Sequence, residues 1–432
     1  MSYLAQAIGE LKSQIHAYLQ QSTSELVRFQ VKVDKVDLLA WLKGQSAYPQ
    51  FYLHFRDEAK ALAALGEERS FSQLNLAQEF IEESGFPLVG GLQFQGTAQF
   101  VLPKILVEQD EKGALVSFFV KDEQSANDTL AHLKTFENLT ALSALPKQIP
   151  LHTEPRANER TWCDWVNQAL VEIKSGELTK IVLANETTFH LKRAINAYDF
   201  LAESEKQNQG CYHFLWAENP YSVFVGSTPE RLFAREYNLL LTEALAGTAL
   251  VSESEEETKS QANWLLNDEK NLKENWLVVE DISQNLHNQV ESFDVSNVEL
   301  KPLRKVQHLI RKIRANLTAH YADVNILKAI HPTAAVSGLP QQQAKMSLSE
   351  IETFDRGWYA GTLGVMSDVC SEFCVAIRSA FVEVDKIHVF AGAGIVEGSV
   401  PLLEWQEIER KAAGLISLLK ITTSKNGEQK CQ

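Results

Sequence analysis

The chain has 432 residues, of which 45% are apolar and 22% are charged, an ordinary composition for a globular protein. Its 56 Asp and Glu residues outnumber its 41 Lys and Arg residues, so the formal net charge is −15. This balance argues against a nucleic-acid-binding protein, which needs a basic surface, and the 21 Phe and 8 Trp residues argue against a disordered chain.

The first predicted element is an amphipathic helix at the N-terminus. Its apolar residues follow helical spacing and are Leu4, Ile8, Leu11, Ile15 and Leu19. The segment lacks the basic start and apolar block of a secretory signal, and no apolar run approaches the roughly 20 residues that span a bilayer. The cysteines are odd in number and scattered: Cys163, Cys211, Cys370, Cys374 and Cys431. We therefore expect a cytoplasmic protein with free thiols that does not bind membranes.

Short apolar runs at 51–55 and 100–106 predict strands in the first third of the chain. A polar segment with two prolines, Leu145–Arg160, predicts a linker or long loop. Beyond it, strands predicted at 181–183, 221–225, 374–377 and 387–390 alternate irregularly with helices. We predict an α+β fold with large, mostly antiparallel β-sheets packed together and flanked by helices. Residues 1–150 would contribute to the same fold as a catalytic region at 155–420, and 421–432 would be a tail.

Two helices of the second half carry carboxylates. The first covers NWLLNDEKNLKENWLVVEDI, and its predicted apolar stripe consists of Leu265, Leu272, Trp276, Val279 and Ile282. Glu274 lies off that stripe. The acidic run SESEEE just before this helix, Ser252–Glu257, is predicted to be a solvated loop.

The second helix covers PLLEWQEIERKAAGLISLLK, with Ser399 and Pro401 as start signals. Glu404, Glu407 and Lys411 follow at steps of three and four and so share a face. From spacing alone, a surface ladder of ion pairs is the simpler interpretation. The alternative is that carboxylates from both helices converge on a hard cation such as Mg²⁺.

Three glycine-containing segments could let backbone N–H groups approach an anion, or could simply be tight turns. They are ALAGT at 244–248, RGWYAGTLG at 356–364 and AGAGIVEGS at 391–399. Each alone is a weak signal.

Ten segments in order give the chain a resemblance to the chorismate-utilising enzymes, over roughly residues 155–420. The segments are TKIVLAN (179–185), VGSTPERL (225–232), TEALAGT (242–248), DEKNLKEN (268–275), VQHL (306–309), HPTAAVSG (331–338), RGWYAGTLG (356–364), AIRSA (376–380), AGAGIV (391–396) and EWQEIERKA (404–412). The family includes isochorismate synthases, salicylate synthases and the large subunits of anthranilate and aminodeoxychorismate synthase. Within it, TEALAGT and the long N-terminal region resemble the isochorismate synthase of menaquinone biosynthesis.

The resemblance implies a Mg²⁺-dependent, reversible conversion of chorismate to isochorismate. Lys180 matches the family's general base and Glu230 its general acid. Glu274 and Glu407 match the main Mg²⁺ carboxylates, with Glu404 in support; Asn271 replaces a second supporting acid. The matching substrate-binding positions are Thr248, His308, Tyr359, Arg378, Gly392, Gly394 and Lys411. His331 is interpreted as a structural, hydrogen-bonding residue.

Two positions favour water over ammonia as the nucleophile. The ammonia-using anthranilate synthases usually carry Gln where this chain has Lys180, and aminodeoxychorismate synthases often carry a nucleophilic Lys where it has Ala246. We therefore expect no glutamine amidotransferase subunit. The alternatives are a salicylate synthase, an isochorismate synthase of a siderophore pathway and a non-catalytic chorismate-binding paralogue.

Overall fold

The computed structural model describes residues 3–20, 25–319 and 321–419. The predicted tail at 421–432, with Cys431, lies outside these ranges. Within them the helices are α1 (Tyr3–Leu19), α2 (Leu38–Lys43), α3 (Leu74–Ser84), α4 (Glu123–Thr135), α5 (Glu159–Ser175), α6 (Ala197–Gln207), α7 (Glu255–Asn267), α8 (Glu269–Leu286), α9 (Asp323–Ile330), α10 (Gln341–Ile351) and α11 (Pro401–Ile416). None of these described helices is long and apolar enough to cross a membrane.

The strands of the same described ranges are β1 (Val27–Val33), β2 (Gln50–His54), β3 (Ala61–Leu65), β4 (Arg69–Phe71), β5 (Leu88–Leu92), β6 (Ala98–Leu102), β7 (Ile105–Asp110), β8 (Gly113–Val120), β9 (His152–Pro155), β10 (Lys180–His190), β11 (Tyr212–Ala217), β12 (Ser222–Thr228), β13 (Arg231–Glu236), β14 (Leu239–Leu250), β15 (Val290–Val295), β16 (Glu299–Pro302), β17 (Val306–Leu317), β18 (Gly338–Leu339), β19 (Thr362–Met366), β20 (Cys370–Val375), β21 (Ser379–Glu383) and β22 (Lys386–Val396).

These strands form two large antiparallel sheets, which confirms the predicted fold class. The 12-stranded sheet has the order β1-β8-β7-β3-β2-β11-β12-β21-β22-β10-β18, with β9 paired to β10. The 10-stranded sheet has the order β15-β17-β14-β13-β20-β19-β5-β6-β4, with β16 paired to β17. Strands from the first 120 residues therefore lie in both sheets, where β2 pairs with β11 in the larger sheet and β5 pairs with β19 in the smaller one.

Two apolar cores explain why the strands are buried on both faces. In β2, Phe51 and Leu53 point into the core shared by the two sheets, whereas Tyr52 points to a second core on the outer face of the larger sheet. That second core is covered by helices such as α1, whose Ile8, Leu11 and Ile15 are buried there. Successive side chains of β2 point to opposite faces, so this strand packs into both apolar cores.

Three local predictions were wrong. The acidic run at Ser252–Glu257 is not a loop throughout: Ser254 caps α7, and Glu255–Glu257 form its first turn, where the helix dipole favours carboxylates. The single helix predicted there is two, because Asp268 leaves helical geometry and caps α8 by accepting the Asn271 N–H. Trp276, predicted on the buried stripe, is 44% exposed.

The segment predicted as a linker, Leu145–Arg160, contains β9 and the start of α5. Because β9 pairs with β10 from His152↔His190 to Pro155↔Thr187, it belongs to the larger sheet. The two prolines correctly predicted irregular backbone, but they did not predict that β9 pairs with β10.

Candidate active site

A cavity lies where β10, β14, β17, β22, α8 and α11 converge with the turn between β12 and β13. It is lined by Val182, Glu230, Leu245, Ala246, Gly247, Thr248, Glu274, His308, Ala335, Val336, Tyr359, Ile377, Arg378, Phe390, Ala391, Gly392, Gly394, Glu407 and Lys411. Ten of the twelve residues predicted from sequence are in this wall. Of the other two, Lys180 lies 3.1 Å from Glu274 of the wall, and Glu404 precedes Glu407 of the wall by one turn of α11.

Lys180 begins β10 and its side chain is completely buried. Its Nζ lies 3.1 Å from Glu274 Oε1, yet the geometry makes no hydrogen bond, and this Nζ has no hydrogen-bond partner among the described residues. A buried donor without a partner is costly. The amine lies next to Glu274, which is part of the cavity wall.

Glycines of β22 create the room for this pair. A Cβ on Gly394 would stand 2.4 Å from Glu274 Oε1 and 3.2 Å from Lys180 Cε. A Cβ on Gly392 would stand 3.0 Å from the Tyr359 hydroxyl. Any side chain at Gly394 would therefore displace Glu274, which explains the AGAG pattern of this strand better than a tight turn does.

Glu274 is positioned by the way α8 docks on β14 and β17. The buried Asn275 amide donates to the carbonyls of Ala244 at 3.0 Å and Leu309 at 3.2 Å. Asn271, also buried, accepts the N–H of Thr248 in β14 at 3.4 Å. These polar anchors fix the rotation of α8 and so direct Glu274 into the cavity.

Glu230 occupies the turn between β12 and β13 and is 3% exposed. Burial, followed by the negative charge of Glu243, raises the pKa of Glu230 to about 8, against opposing effects of Lys180, Lys411 and Arg378. Most of this carboxyl is consequently protonated at neutral pH. A protonated carboxylic acid in a cavity can donate a proton to a leaving group.

Arg378, His308 and Thr248 form a hydrogen-bonded chain along one wall. Arg378 Nη2 lies 2.6 Å from His308 Nε2, and His308 Nδ1 lies 3.1 Å from Thr248 Oγ1. A guanidinium only donates, so Nε2 is the acceptor and Nδ1 carries the proton. Burial and the Arg378 charge hold the pKa of His308 well below its usual range. The neutral ring thus fixes the orientation of the guanidinium.

The Arg378 backbone has φ +50°, a left-handed conformation that is uncommon for a non-glycine residue. Its carbonyl accepts the Ser227 N–H at 3.2 Å, next to the turn that carries Glu230. Residues held in such conformations concentrate at functional sites. Tyr359 completes this part of the wall, stacked on Phe390 with ring centroids 4.8 Å apart.

Two carboxylates of α11, Glu404 and Glu407, are each paired with a lysine. Glu407 lies 2.7 Å from Lys411, one turn further on, and Lys411 also donates to the Gly392 carbonyl at 2.9 Å. Burial works to raise the pKa of Glu407, but Lys411, Lys270 and Arg410 together outweigh it and the net shift is downward. Glu404 instead pairs with Lys270 of α8 at 3.0 Å, so only the Glu407–Lys411 part of the predicted ladder forms, and it lies in the cavity wall.

The structure permits a test of whether these residues suit Mg²⁺. Within 3–20, 25–319 and 321–419, no three His, Cys, Asp or Glu side chains are grouped so that they could hold a metal ion on their own. Mg²⁺ is usually held by one or two carboxylates together with waters and an anionic substrate group. Glu274 and Glu407 line the same cavity, and this donor set fits that pattern.

Several residues of the site were missed from sequence. Glu243 lies in the TEALAGT segment and Lys270 in the DEKNLKEN segment, so these motifs could have indicated both residues. Arg56 follows β2, almost 190 residues before Glu243, with which it forms a buried ion pair at 2.7 Å. No local pattern indicates that contact. His331 lies outside the cavity wall, and its Nε2 is 3.0 Å from the Gln93 carbonyl oxygen.

This fold and cavity define a class of protein, namely an enzyme that carries out acid–base chemistry on an anionic ligand. The family model described as chorismate binding enzyme matches residues 92–420, about three quarters of the chain. The chain belongs to this family of chorismate-binding enzymes.

Individual relatives agree. The chain is 93% identical over 418 residues to the isochorismate synthase MenF of Haemophilus influenzae, covering 97% of each, and 38% identical to MenF of Escherichia coli K12, covering 90% of this chain and 92% of the other. The solved structure of MenF, the menaquinone-specific isochorismate synthase from Escherichia coli, superposes with a TM-score of 0.89 at 34% identity, covering 96% of this chain and all of that one. Anthranilate synthase component I from Streptococcus pneumoniae, at 22% identity and a TM-score of 0.59, shares the fold.

Proposed function

We propose that the protein is an isochorismate synthase, an isomerase that interconverts chorismate and isochorismate in menaquinone biosynthesis. Water adds at ring C2, the C4 hydroxyl leaves as water, and the double bonds shift between them. The observation that carries this proposal is that two groups of opposite role lie near each other: a buried Lys180 amine, which beside Glu274 has no hydrogen-bond partner among the described residues, and a Glu230 carboxyl that burial keeps protonated. The names of the similar proteins support it.

Lys180 is the proposed general base and Glu230 the proposed general acid. A proton passes from the attacking water to Lys180 Nζ, and the Glu230 proton passes to the departing oxygen. To accept that proton, the amine must be neutral. After one turnover Lys180 has gained a proton and Glu230 has lost one, so the reverse reaction uses the same two groups in exchanged roles.

Cations of the cavity wall would hold the carboxylates of chorismate. Arg378 presents a planar fork that can engage two carboxylate oxygens, and Lys411 stands beside it in the wall. Thr248, His308 and Tyr359 would contact the ring, with backbone N–H groups of Gly392 and Gly394. These groups give a −15 protein a locally cationic surface for a dianion.

Glu274 and Glu407 are the carboxylates proposed to hold Mg²⁺, with Glu404 in support through water. Bound there, the ion would supply positive charge for the ring carboxylate of the substrate. Asn271, at the position of a missing supporting acid, bonds to Asp268, so it orients the start of α8.

The cellular setting is also part of the proposal. The four described cysteines, Cys163, Cys211, Cys370 and Cys374, are free thiols, which suits a reducing cytoplasm. With water as nucleophile, no amidotransferase subunit is needed to deliver ammonia.

Product analysis tests the function directly. The full-length protein is incubated with chorismate and Mg²⁺, and the products are resolved chromatographically. Isochorismate as the product, formed to the same equilibrium from either side, supports the proposal. Salicylate with pyruvate would identify a salicylate synthase, and absence of any turnover would refute an enzymatic role.

A further inference from the structure

The turn that carries Glu230 is held on both sides by one buried ion pair. Arg56 Nη1 donates to the carbonyl of Pro229, the residue before Glu230. Glu243 Oε1 accepts the N–H of Arg231, the residue after it, at 2.9 Å. The two peptide groups that flank Glu230 are therefore fixed by two side chains that also bind each other.

The ion pair itself is bidentate. Arg56 Nη1 lies 2.7 Å from Glu243 Oε1, and Arg56 Nη2 lies 2.9 Å from Glu243 Oε2. The side chains are 4% and 2% exposed. A two-point contact of this kind fixes direction as well as distance. The pair also joins the sheets, because Arg56 follows β2 of the larger sheet and Glu243 belongs to β14 of the smaller one.

Neighbouring contacts hold Arg56 in its place. Its guanidinium lies over the Tyr212 ring, 5.3 Å from the centroid, and its Nε lies 3.1 Å from Asp57. Asp57 in turn pairs with Arg231 at 2.8 Å. An arginine enclosed on three sides has little freedom to move, so its bond to Pro229 is fixed as well.

Glu243 also contributes charge next to Glu230. After burial, its negative charge is the strongest influence that raises the pKa of Glu230. The other charged groups that face Glu230 are Lys180 of β10, Lys411 of α11 and Arg378 between β20 and β21, and all three act in the opposite direction.

We propose that Arg56 and Glu243 are positioning residues for Glu230, which hold its turn so that its carboxyl faces the cavity. This inference rests on the proposed function, in which Glu230 is the general acid. It assigns a role in the reaction to a residue of the first 60, far in sequence from the motifs that define the site.

Two variants separate the effect of Arg56 on the orientation of the Glu230 carboxyl from the effect of the Glu243 charge on its pKa. Arg56→Lys keeps the positive charge but loses the fork, since lysine is a single point charge. We expect its kcat for chorismate to fall about tenfold to a hundredfold at every pH, as for a small misplacement of a reacting group. Glu243→Gln keeps an acceptor for the Arg231 N–H but removes the charge. We expect the basic limb of its kcat–pH profile to move down by about one pH unit.

A matched control exists in the smaller sheet. Arg235 and Asp323 form another bidentate buried pair, at 2.5 and 2.8 Å, with both side chains 2% exposed. Neither lines the cavity. Arg235→Lys should lower the free energy of unfolding as Arg56→Lys does, but leave kcat and the pH profile of the folded enzyme unchanged.

The wild-type assay is run first, so that failure of the proposed function is recognised separately by the absence of isochorismate. With an active wild type, the inference is overturned if Arg56→Lys retains wild-type kcat and the Glu243→Gln limb does not move. It is equally overturned if Arg235→Lys reproduces both changes. If Glu243→Gln does not fold, Arg56→Lys and its comparison with Arg235→Lys decide the outcome through kcat at saturating chorismate.

Discussion

Replacing Glu230 with Gln tests whether this carboxyl is protonated in the folded protein. Gln has the shape of the neutral acid but cannot donate an acidic proton. We therefore expect kcat to fall by about 10²- to 10⁴-fold, the usual contribution of a general acid. KM for chorismate should change little, because the shape and neutrality of the side chain are kept.

The same substitution has a predictable effect on stability. The pKa of Glu230 rises from 4.5 to about 8 on folding, and one pKa unit corresponds to about 1.4 kcal/mol. Because the folded pKa is the higher one, stability associated with this group is complete below pH 4.5 and is lost as the pH rises through 8. The loss reaches roughly 3 kcal/mol at pH 7 and roughly 5 kcal/mol above pH 8, as upper limits. Glu230→Gln should therefore be more stable than wild type at pH 7.

Urea unfolding of both proteins between pH 5 and pH 9 measures this difference. All other groups titrate in both, so the difference between the two curves reports Glu230 alone. We expect it to grow by about 1.4 kcal/mol per pH unit between pH 5 and pH 8 and then to level off. Parallel curves would refute protonation of Glu230 in the folded state, and a fully active variant would refute its role as the acid.

The remaining predictions concern the base, the metal and the substrate anchor. Lys180→Ala should lower kcat by at least about 10²-fold with an unchanged circular dichroism spectrum, and wild-type rates would remove it as the base. Glu274→Gln and Glu407→Gln should each raise the Mg²⁺ concentration needed for half-maximal rate. Glu409→Gln is the control, because Glu409 lies on α11 with Glu407 but outside the cavity wall, and it should leave this concentration unchanged. Full activity of the Glu274 and Glu407 variants at low Mg²⁺ would contradict their assignment as metal ligands. Arg378→Lys should raise KM for chorismate at least about tenfold because the fork is lost, and an unchanged KM would place the substrate carboxylate elsewhere.

The fold class and most of the site were predictable because their signals are local. Segments such as TKIVLAN and EWQEIERKA keep their order in the chain, and ten of the twelve predicted site residues line one cavity. Their roles remain predictions until the variants are measured. The division of the chain at 150 also stays a prediction, since the family model begins at residue 92.

Contacts between segments far apart in the chain could not be predicted from the sequence. Periodicity placed Trp276 on the buried stripe because it cannot know that α8 docks through Asn271 and Asn275, two polar residues whose partners lie in other elements. Spacing suggested that Glu404 would pair along its own helix, whereas its partner is Lys270 of α8. Arg56 shows the same limit, because its importance depends on Glu243, which only the folded sheets bring near.

The strand order of the larger sheet has a consequence for synthesis on the ribosome. Strand β12 ends at Thr228, whereas its neighbour β21 begins at Ser379, so about 150 residues must be made before that edge is covered. At roughly 5–20 residues per second, this takes on the order of 10–30 seconds. During that time the nascent chain presents an apolar strand edge of the kind that pairs with other chains. The larger sheet can therefore be completed only after the last strands have emerged.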